Sequence, residues 1–97
     1  MKVMISQPMK GKTKEEILKI RSKIIEDTSL EKNEILNNLF DFENKSSLYY
    51  LAKSLEVMSE ADLVLFTHDW EQARGCRIEY EVAKAYGKMI MILPNED

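Results

Sequence analysis

The side chains best suited to chemistry lie between residues 69 and 88. Two arginines, a glycine and a glutamate (Arg74, Gly75, Arg77 and Glu79) fall where a polar loop leads from an apolar strand into a helix. A strand-loop-helix start is where α/β proteins bind anions, because backbone N–H groups there are free and the helix dipole favours negative charge. Glu79 lies about a turn into the helix, and its side chain is expected to lean toward the ligand-facing end. A carboxylate in this position is either a cap or a catalyst.

The elements that must position these residues alternate along the chain. Apolar runs bounded by turn residues predict four strands, of which the second is the weakest, at residues 2–5, 34–37, 61–67 and 88–93. Apolar residues at helical spacing predict three helices, which begin near Thr13, Ser46 and Cys76. The first of these helices carries a capping box, Thr13-x-x-Glu16. The segment 38–45 is predicted to be a loop.

This alternation predicts a single α/β domain over residues 1–97. Right-handed crossovers give a small doubly wound, Rossmann- or flavodoxin-like sheet of four parallel strands in the order 2-1-3-4, with helices on both faces. In such sheets ligands bind outside the carboxyl ends of the strands, at the point where the strand order reverses. That point lies between the first and third predicted strands, so the loops 6–12 and 67–74 are expected to converge there.

The loop after the first strand supplies further candidate ligand contacts. Its hydroxyl, amide and lysines suit a phosphate, and its candidate ligand-binding residues are Ser6, Gln7, Pro8, Met9, Gly11 and Lys12. The spacing is not that of a P-loop, which requires Gly-x-x-x-x-Gly-Lys-Ser/Thr.

Composition argues against several partners. The formal charge is −3, with acids and bases interspersed, whereas duplex DNA and anionic membranes demand clustered cations. There is neither a signal-peptide pattern nor an apolar run of membrane length. One cysteine and one histidine, Cys76 and His68, supply no metal-binding set, and no cofactor is indicated. We therefore expect a cytoplasmic protein without a metal, and the short chain favours completion of its core by a partner subunit.

Three segments carry a family resemblance, at residues 1–13, 61–66 and 69–83. Together they resemble the short proteins of unknown function common in phages and prophages, and those proteins are similar to the nucleoside 2-deoxyribosyltransferases and the deoxynucleotide N-hydrolases. In the enzymes, a glutamate in the pattern Gly-x-x-x-Glu-x-Gly-x-Ala attacks the anomeric carbon of the sugar. Gly75, Glu79 and Ala83 match that pattern, and Glu81 stands where its second glycine is expected. The resemblance also implies a homodimer or larger homo-oligomer, because these families complete their pockets with a neighbouring subunit.

The resemblance gives the candidate residues specific roles. N-glycosidic cleavage passes through an oxocarbenium-like state, so Glu79 would attack the anomeric carbon or stabilise its charge; the alternative is that it only complements the helix dipole. Asp69 would orient a sugar hydroxyl or transfer a proton, or else form an Asx-turn. Trp70 would stack on a base or ribose, or else close the sheet edge.

The cationic and thiol groups also have two interpretations each. Arg74 is the favoured phosphate contact, because Arg77 has an alternative ion pair with Glu81 at i,i+4 spacing. Cys76 lies near a helix N-terminus and arginines, conditions that lower a thiol pKa, although packing is its default role.

Two functional classes follow. In the first, the protein is an N-glycosidase or deoxyribosyltransferase that acts on a nucleoside or nucleotide through Glu79. In the second, it is a catalytically silent phage protein that binds and sequesters a nucleotide-derived host defence signal, ADP-ribose-like or cyclic. Glu81 and the small size favour binding, whereas the intact Glu79 favours chemistry.

Overall fold

A computed structural model describes residues 1–39 and 45–95. These residues form a small α/β domain around a parallel sheet of three strands, in the order β1-β2-β3. The strands are β1 (Val3–Ser6), β2 (Leu63–Phe66) and β3 (Met89–Ile92), and the helices are α1 (Lys14–Thr28), α2 (Ser47–Met58) and α3 (Arg74–Ala85). The predicted parallel α/β architecture is therefore confirmed, and the predicted first and third strands are neighbours.

Helix α1 packs on one face of the sheet. Its capping box forms as predicted, with the Thr13 hydroxyl accepting from the Glu16 backbone N–H and the Glu16 carboxylate accepting from the Thr13 backbone N–H. The helix ends at Ser29, whose backbone is left-handed with φ of 57°. Ile24 of α1 packs against the side chains of β1 and β2 that point to this face, which are Val3, Ile5, Leu63 and Leu65.

Helices α2 and α3 lie on the opposite face. Side chains alternate along a strand, so Met4, Val64 and Phe66 point away from α1. They form a buried cluster with Met58 at the end of α2 and Ala83 of α3. Residues at the end of β1 therefore reach both layers, Ser6 on the α2–α3 side and Gln7 on the α1 side.

The predicted second strand does not form a ladder within the described residues. Residues Lys32–Glu34 make a 3₁₀ turn, and a single parallel bridge joins Ile35 to Val3. Farther along β1, the carbonyl of Ile5 accepts hydrogen bonds from the side chains of Arg21 and Asn38. These side chains replace the backbone donors of another strand, so the four-stranded sheet and the order 2-1-3-4 are not confirmed. The predicted loop 38–45 falls partly outside the described residues.

Strand β3 leaves apolar side chains in contact with solvent. Met89, Met91 and Ile92 are each about half exposed, and β2 is the strand's only ladder partner among the described residues. Such an edge is a ready surface for association with another chain. None of the helices in the described part of the chain is both long and apolar enough to cross a membrane.

Candidate active site

Glu79 is a buried carboxylate at the meeting point of three elements. It lies on α3 with only 7% of its surface exposed. Its Oε1 accepts a hydrogen bond of 3.0 Å from the Ser6 hydroxyl at the end of β1, and its Oε2 accepts one of 2.7 Å from the Ser54 hydroxyl of α2. Both oxygens are thus held in fixed positions at the carboxyl end of β1.

The electrostatic environment of Glu79 works against its charge. Burial raises the pKa of Glu79 above its ordinary value, while the hydrogen bonds from Ser54 and Ser6 and the positive charge of Arg21 oppose that rise. Desolvation is the largest of these effects. At a given pH Glu79 is therefore neutral in a larger fraction of molecules than an exposed glutamate, a behaviour more common at functional sites than elsewhere.

Arg21 of α1 is a buried cation, with 6% of its surface exposed. Its guanidinium donates to Gln7 Oε1 at 2.8 Å, to Asn38 Oδ1 at 2.7 Å and to the Ile5 carbonyl at 3.0 Å. Burial lowers the pKa of Arg21 to about 10, so the group keeps its charge at neutral pH. Among the described residues no direct ion pair joins Arg21 to Glu79.

A cleft of about 420 Å³ opens at the same edge of the sheet, on the α1 side. It lies beyond the carboxyl ends of all three strands, the edge at which parallel sheets bind ligands, and its volume is within the usual range for small-molecule sites. The described residues that line it are Gln7, Pro8, Lys12, Ile20, Lys23, Ile24, Asp27, Thr67, His68, Asp69, Leu93, Pro94 and Asn95.

Four of the predicted site residues line this cleft, namely Gln7, Pro8, Lys12 and Asp69. Glu79 and Ser6 do not line it, because they lie on the α2–α3 side of the sheet. The Asp69 carboxylate accepts a 2.7 Å hydrogen bond from the Thr67 hydroxyl, so it is held by its own loop. Gln7 serves both the cleft and the interior, because its amide nitrogen donates to the Ile17 carbonyl.

Met9 and Gly11 shape the loop instead of lining the described cleft. The Lys12 backbone N–H donates to the Met9 carbonyl at 3.1 Å and closes a turn. Gly11 has φ of +79°, a conformation that residues with a side chain rarely adopt. Their role in this structure is to carry Lys12 to the cleft.

The predicted stacking residue, Trp70, is already stacked. Its ring lies 4.4 Å from that of Tyr80, at an interplanar angle of 24°, and it also packs against Phe66. In this structure Trp70 therefore packs on rings of the protein itself.

Some residues around the start of α3 are exposed to solvent, and others bond to the protein itself. The helix begins at Arg74, two residues before the predicted start, and Arg74 is exposed without a hydrogen-bond partner among the described residues. Arg77 donates to the Glu71 carbonyl at 2.7 Å and makes no ion pair with Glu81, contrary to the alternative predicted for it. A Cβ at Gly75 would meet open space, so its backbone site does not require a glycine.

The expectation of a lowered thiol pKa at Cys76 is wrong. Cys76 is buried, and desolvation raises the pKa of its thiol to about 11. The nearby Arg77 charge favours the thiolate, but it does not compensate for burial. Cys76 therefore acts as a packing residue beside Ser6 and Glu79. Within the described residues no three His, Cys, Asp or Glu side chains cluster in a way that could hold a metal ion.

Sequence reasoning missed Arg21, Asn38 and Ser54. A signal was present for two of them, because Arg21 continues the apolar stripe Ile17–Ile24 of α1 and Ser54 continues the stripe Leu51–Leu55–Met58 of α2. A polar residue at a core position of an amphipathic helix must find a buried partner. Asn38 follows the predicted second strand and gave no comparable signal.

Fold and site together define a class, a small parallel α/β domain with a buried, hydroxyl-held carboxylate at the carboxyl edge of its sheet. Residues 1–92 match the model of the family described as "Domain of unknown function (DUF4406)", and the chain belongs to that family. Neither a curated protein nor a solved structure shows significant similarity to the chain.

Proposed function

We propose that this protein binds a nucleoside or nucleotide at the carboxyl edge of its sheet and cleaves the N-glycosidic bond, with Glu79 as the nucleophile. The observation that carries the proposal is the buried carboxylate of Glu79, held by the Ser6 and Ser54 hydroxyls at 3.0 and 2.7 Å. The resemblance to the nucleoside 2-deoxyribosyltransferases adds the reaction class. A structural carboxylate is usually neutralised by a direct ion pair, and this one has none among the described residues.

The two hydroxyl contacts suit a nucleophile. A carboxylate offers about four lone-pair directions, and each oxygen of Glu79 uses one of them for a serine hydroxyl within the described residues. A fixed orientation removes the entropy that a mobile side chain would lose on reaching the transition state. Partial desolvation also makes the anion more reactive than it would be in water.

The proposed cleavage of the N-glycosidic bond takes two steps. A Glu79 oxygen forms a bond to the anomeric carbon as the bond from that carbon to the base nitrogen breaks, and the base leaves with a proton. Asp69, on the loop after β2, is the proposed proton-transfer group. Water, or a second base in a transferase, then displaces the carboxylate from the anomeric carbon and gives up a proton to Asp69, which restores both Glu79 and Asp69.

The cleft supports a ligand of low charge. Its described lysines and aspartates number two each, so their charges cancel, and Lys23 pairs with Asp27 at 3.1 Å. The walls at Ile20, Ile24 and Leu93 offer apolar area for a base. This balance favours a nucleoside or nucleoside monophosphate over a triphosphate, which needs several cations.

One observation favours the binding-only alternative. Both oxygens of Glu79 are engaged inside the fold and little of the side chain reaches the surface. In that case the domain would be a silent phage protein that sequesters a nucleotide-derived defence signal, ADP-ribose-like or cyclic.

The proposal includes a structural and cellular setting. We expect a cytoplasmic homodimer or larger assembly, for which the exposed apolar side chains of β3 offer a surface. We also retain a Rossmann-like order 2-1-3-4, in which the predicted second strand is reduced to the single bridge between Ile35 and Val3.

Chromatography of the purified protein with a panel of ribo- and deoxyribonucleosides and their monophosphates tests the proposal. Wild type should release free base, and Glu79→Gln should lose this activity while binding stays within a few-fold, because the amide keeps the shape and loses the charge. Glu56→Gln is the matched control, since Glu56 is an exposed glutamate on α2, outside the matched motif, and should be silent. No base release by wild type from any member, together with tight binding of one of them, would leave the sequestering function instead.

A further inference from the structure

An unbroken line of side-chain hydrogen bonds runs from Arg21 to Glu79. Arg21 Nη1 donates to Asn38 Oδ1 at 2.7 Å, and Asn38 Nδ2 donates to Ser54 Oγ at 3.3 Å. The Ser54 hydroxyl then donates to Glu79 Oε2 at 2.7 Å. All four side chains are buried, so little water competes for these bonds.

Every hydrogen bond in this line donates in the same direction, from Arg21 toward Glu79. A guanidinium only donates, so the amide of Asn38 must turn its oxygen toward Arg21 and its nitrogen toward Ser54. The Ser54 hydroxyl accepts from that nitrogen and therefore points its own hydrogen at Glu79. The line therefore ends on an acceptor, and it favours the carboxylate form of Glu79, whose Oε2 accepts a hydrogen bond more strongly than that of a neutral carboxyl.

The origin of the line is anchored to the backbone of β1. Both Arg21 Nη2 and Asn38 Nδ2 donate to the Ile5 carbonyl, at 3.0 and 2.9 Å. A third guanidinium donor, Nε–H, is held by Gln7 Oε1. Three acceptors thus fix the orientation of Arg21.

We propose that Arg21 is a positioning residue for Glu79, which acts through Asn38 and Ser54 to keep the carboxylate charged and in one orientation. The proposal rests on the proposed function for its catalytic meaning, since a nucleophile must be ionised and aimed. The coupling between Arg21 and Glu79 is a property of the protein without ligand, so it can be tested separately from that function.

The other groups that face Glu79 cannot supply this effect. Ser6 from β1 and Ser54 from α2 are neutral donors, and Cys76 on α3 is a neutral thiol at physiological pH. Arg21 from α1 is the cation whose charge acts on Glu79 against the effect of burial. Loss of Arg21 would remove both the charge and the first donor of the line.

Titration of Glu79 by carbon NMR of the full-length protein tests the proposal, with the Glu79 signal assigned by its absence in Glu79→Gln. Arg21→Met should raise the pKa of Glu79 by about one unit, a tenfold change in the ratio of charged to neutral carboxyl. Lys19→Met is the control, because it removes an exposed cation from the same helix and should leave the pKa of Glu79 unchanged.

Asn38→Ala distinguishes an effect carried by the hydrogen bonds from the direct electrostatic attraction between Arg21 and Glu79. This variant keeps every charge but frees the Ser54 hydroxyl to turn away, so the pKa of Glu79 should still rise. An unchanged pKa of Glu79 in folded Asn38→Ala would overturn the proposal. Should Arg21→Met fail to fold, Asn38→Ala and Ser54→Ala carry the test. Because the titration needs no substrate, it stands even if wild type releases no base.

Discussion

Replacement of Glu79 by glutamine should stabilise this protein at alkaline pH. Glutamine has almost the same shape, and its carbonyl oxygen can accept from Ser54 as Oε2 does. Its amide nitrogen would face Ser6, whose hydroxyl is free to rotate and accept instead of donating. Every hydrogen bond of the site can therefore be kept, and the substitution removes the buried charge alone.

The magnitude follows from two opposing effects. Bonds to a charged group contribute about 1 kcal/mol more than neutral ones, so the two serine contacts lose about 2 kcal/mol in total. Burial of an uncompensated carboxylate costs several kcal/mol. The raised pKa of Glu79 includes the attraction of Arg21 and indicates that the burial cost is the larger effect. We expect a net gain of about 1–2 kcal/mol, which corresponds to roughly 5–10 °C in a domain of this size.

The pH dependence has a definite sign. The folded-state pKa lies above the unfolded value, so the folded protein binds more protons between the two values and wild type loses stability as pH rises through that window. The stability advantage of Glu79→Gln over wild type should be complete above the folded-state pKa of Glu79. It should vanish as pH falls to the ordinary pKa of glutamate. Thermal unfolding of wild type, Glu79→Gln and Glu56→Gln between pH 4.5 and about 8.5 measures it. A glutamine variant less stable than wild type at pH 8 would show that the carboxylate stabilises the fold and that our reasoning is wrong.

The other predictions concern the thiol, the helix start and the assembly. Cys76 should resist a thiol reagent at pH 8 and react only on unfolding, because it is buried and its pKa is raised to about 11; rapid labelling of the native protein would contradict this. Arg74→Ala should weaken the binding of nucleoside monophosphates far more than of nucleosides in calorimetry, since a charge-assisted bond is lost, and equal losses would remove its phosphate role. Light scattering should give a mass of at least a dimer, and Met91→Lys on the exposed β3 edge should lower it, whereas a monomeric wild type at high micromolar concentration would count against the assembly.

The parallel fold was predictable because the relevant signals are local. Thr13 and Glu16 sit at capping-box spacing, and the apolar runs that became β1, β2 and β3 are bounded by turn residues. The second strand was predicted from the short run at residues 34–37, but pairing along β1 depended on side chains distant in the sequence. Arg21 and Asn38 reach the Ile5 carbonyl where another backbone would have bound. The hydrophobic periodicity of the sequence does not indicate that side chains will take the place of a strand.

The site was predictable only in part, for a related reason. The position of Glu79 at the carboxyl edge followed from the order of elements, and the structure places it there. Its burial did not follow, because it depends on the packing of α2 against α3. Burial also raised the pKa of Cys76, whereas the helix dipole alone predicted the reverse. Trp70 likewise packs on Tyr80, which lies ten residues farther along the chain, on α3.

The central claim, that Glu79 attacks an anomeric carbon, is tested most directly by trapping the covalent intermediate. A nucleoside with fluorine at the 2′ position of the sugar destabilises the oxocarbenium-like state and slows both steps, so the glycosyl-enzyme should accumulate. Intact-mass spectrometry should then show one added fluoroglycosyl group per wild-type chain, located on Glu79 by peptide fragmentation and absent from Glu79→Gln. Base release by wild type without any adduct, or an adduct that persists in Glu79→Gln, would contradict the assignment of Glu79 as nucleophile.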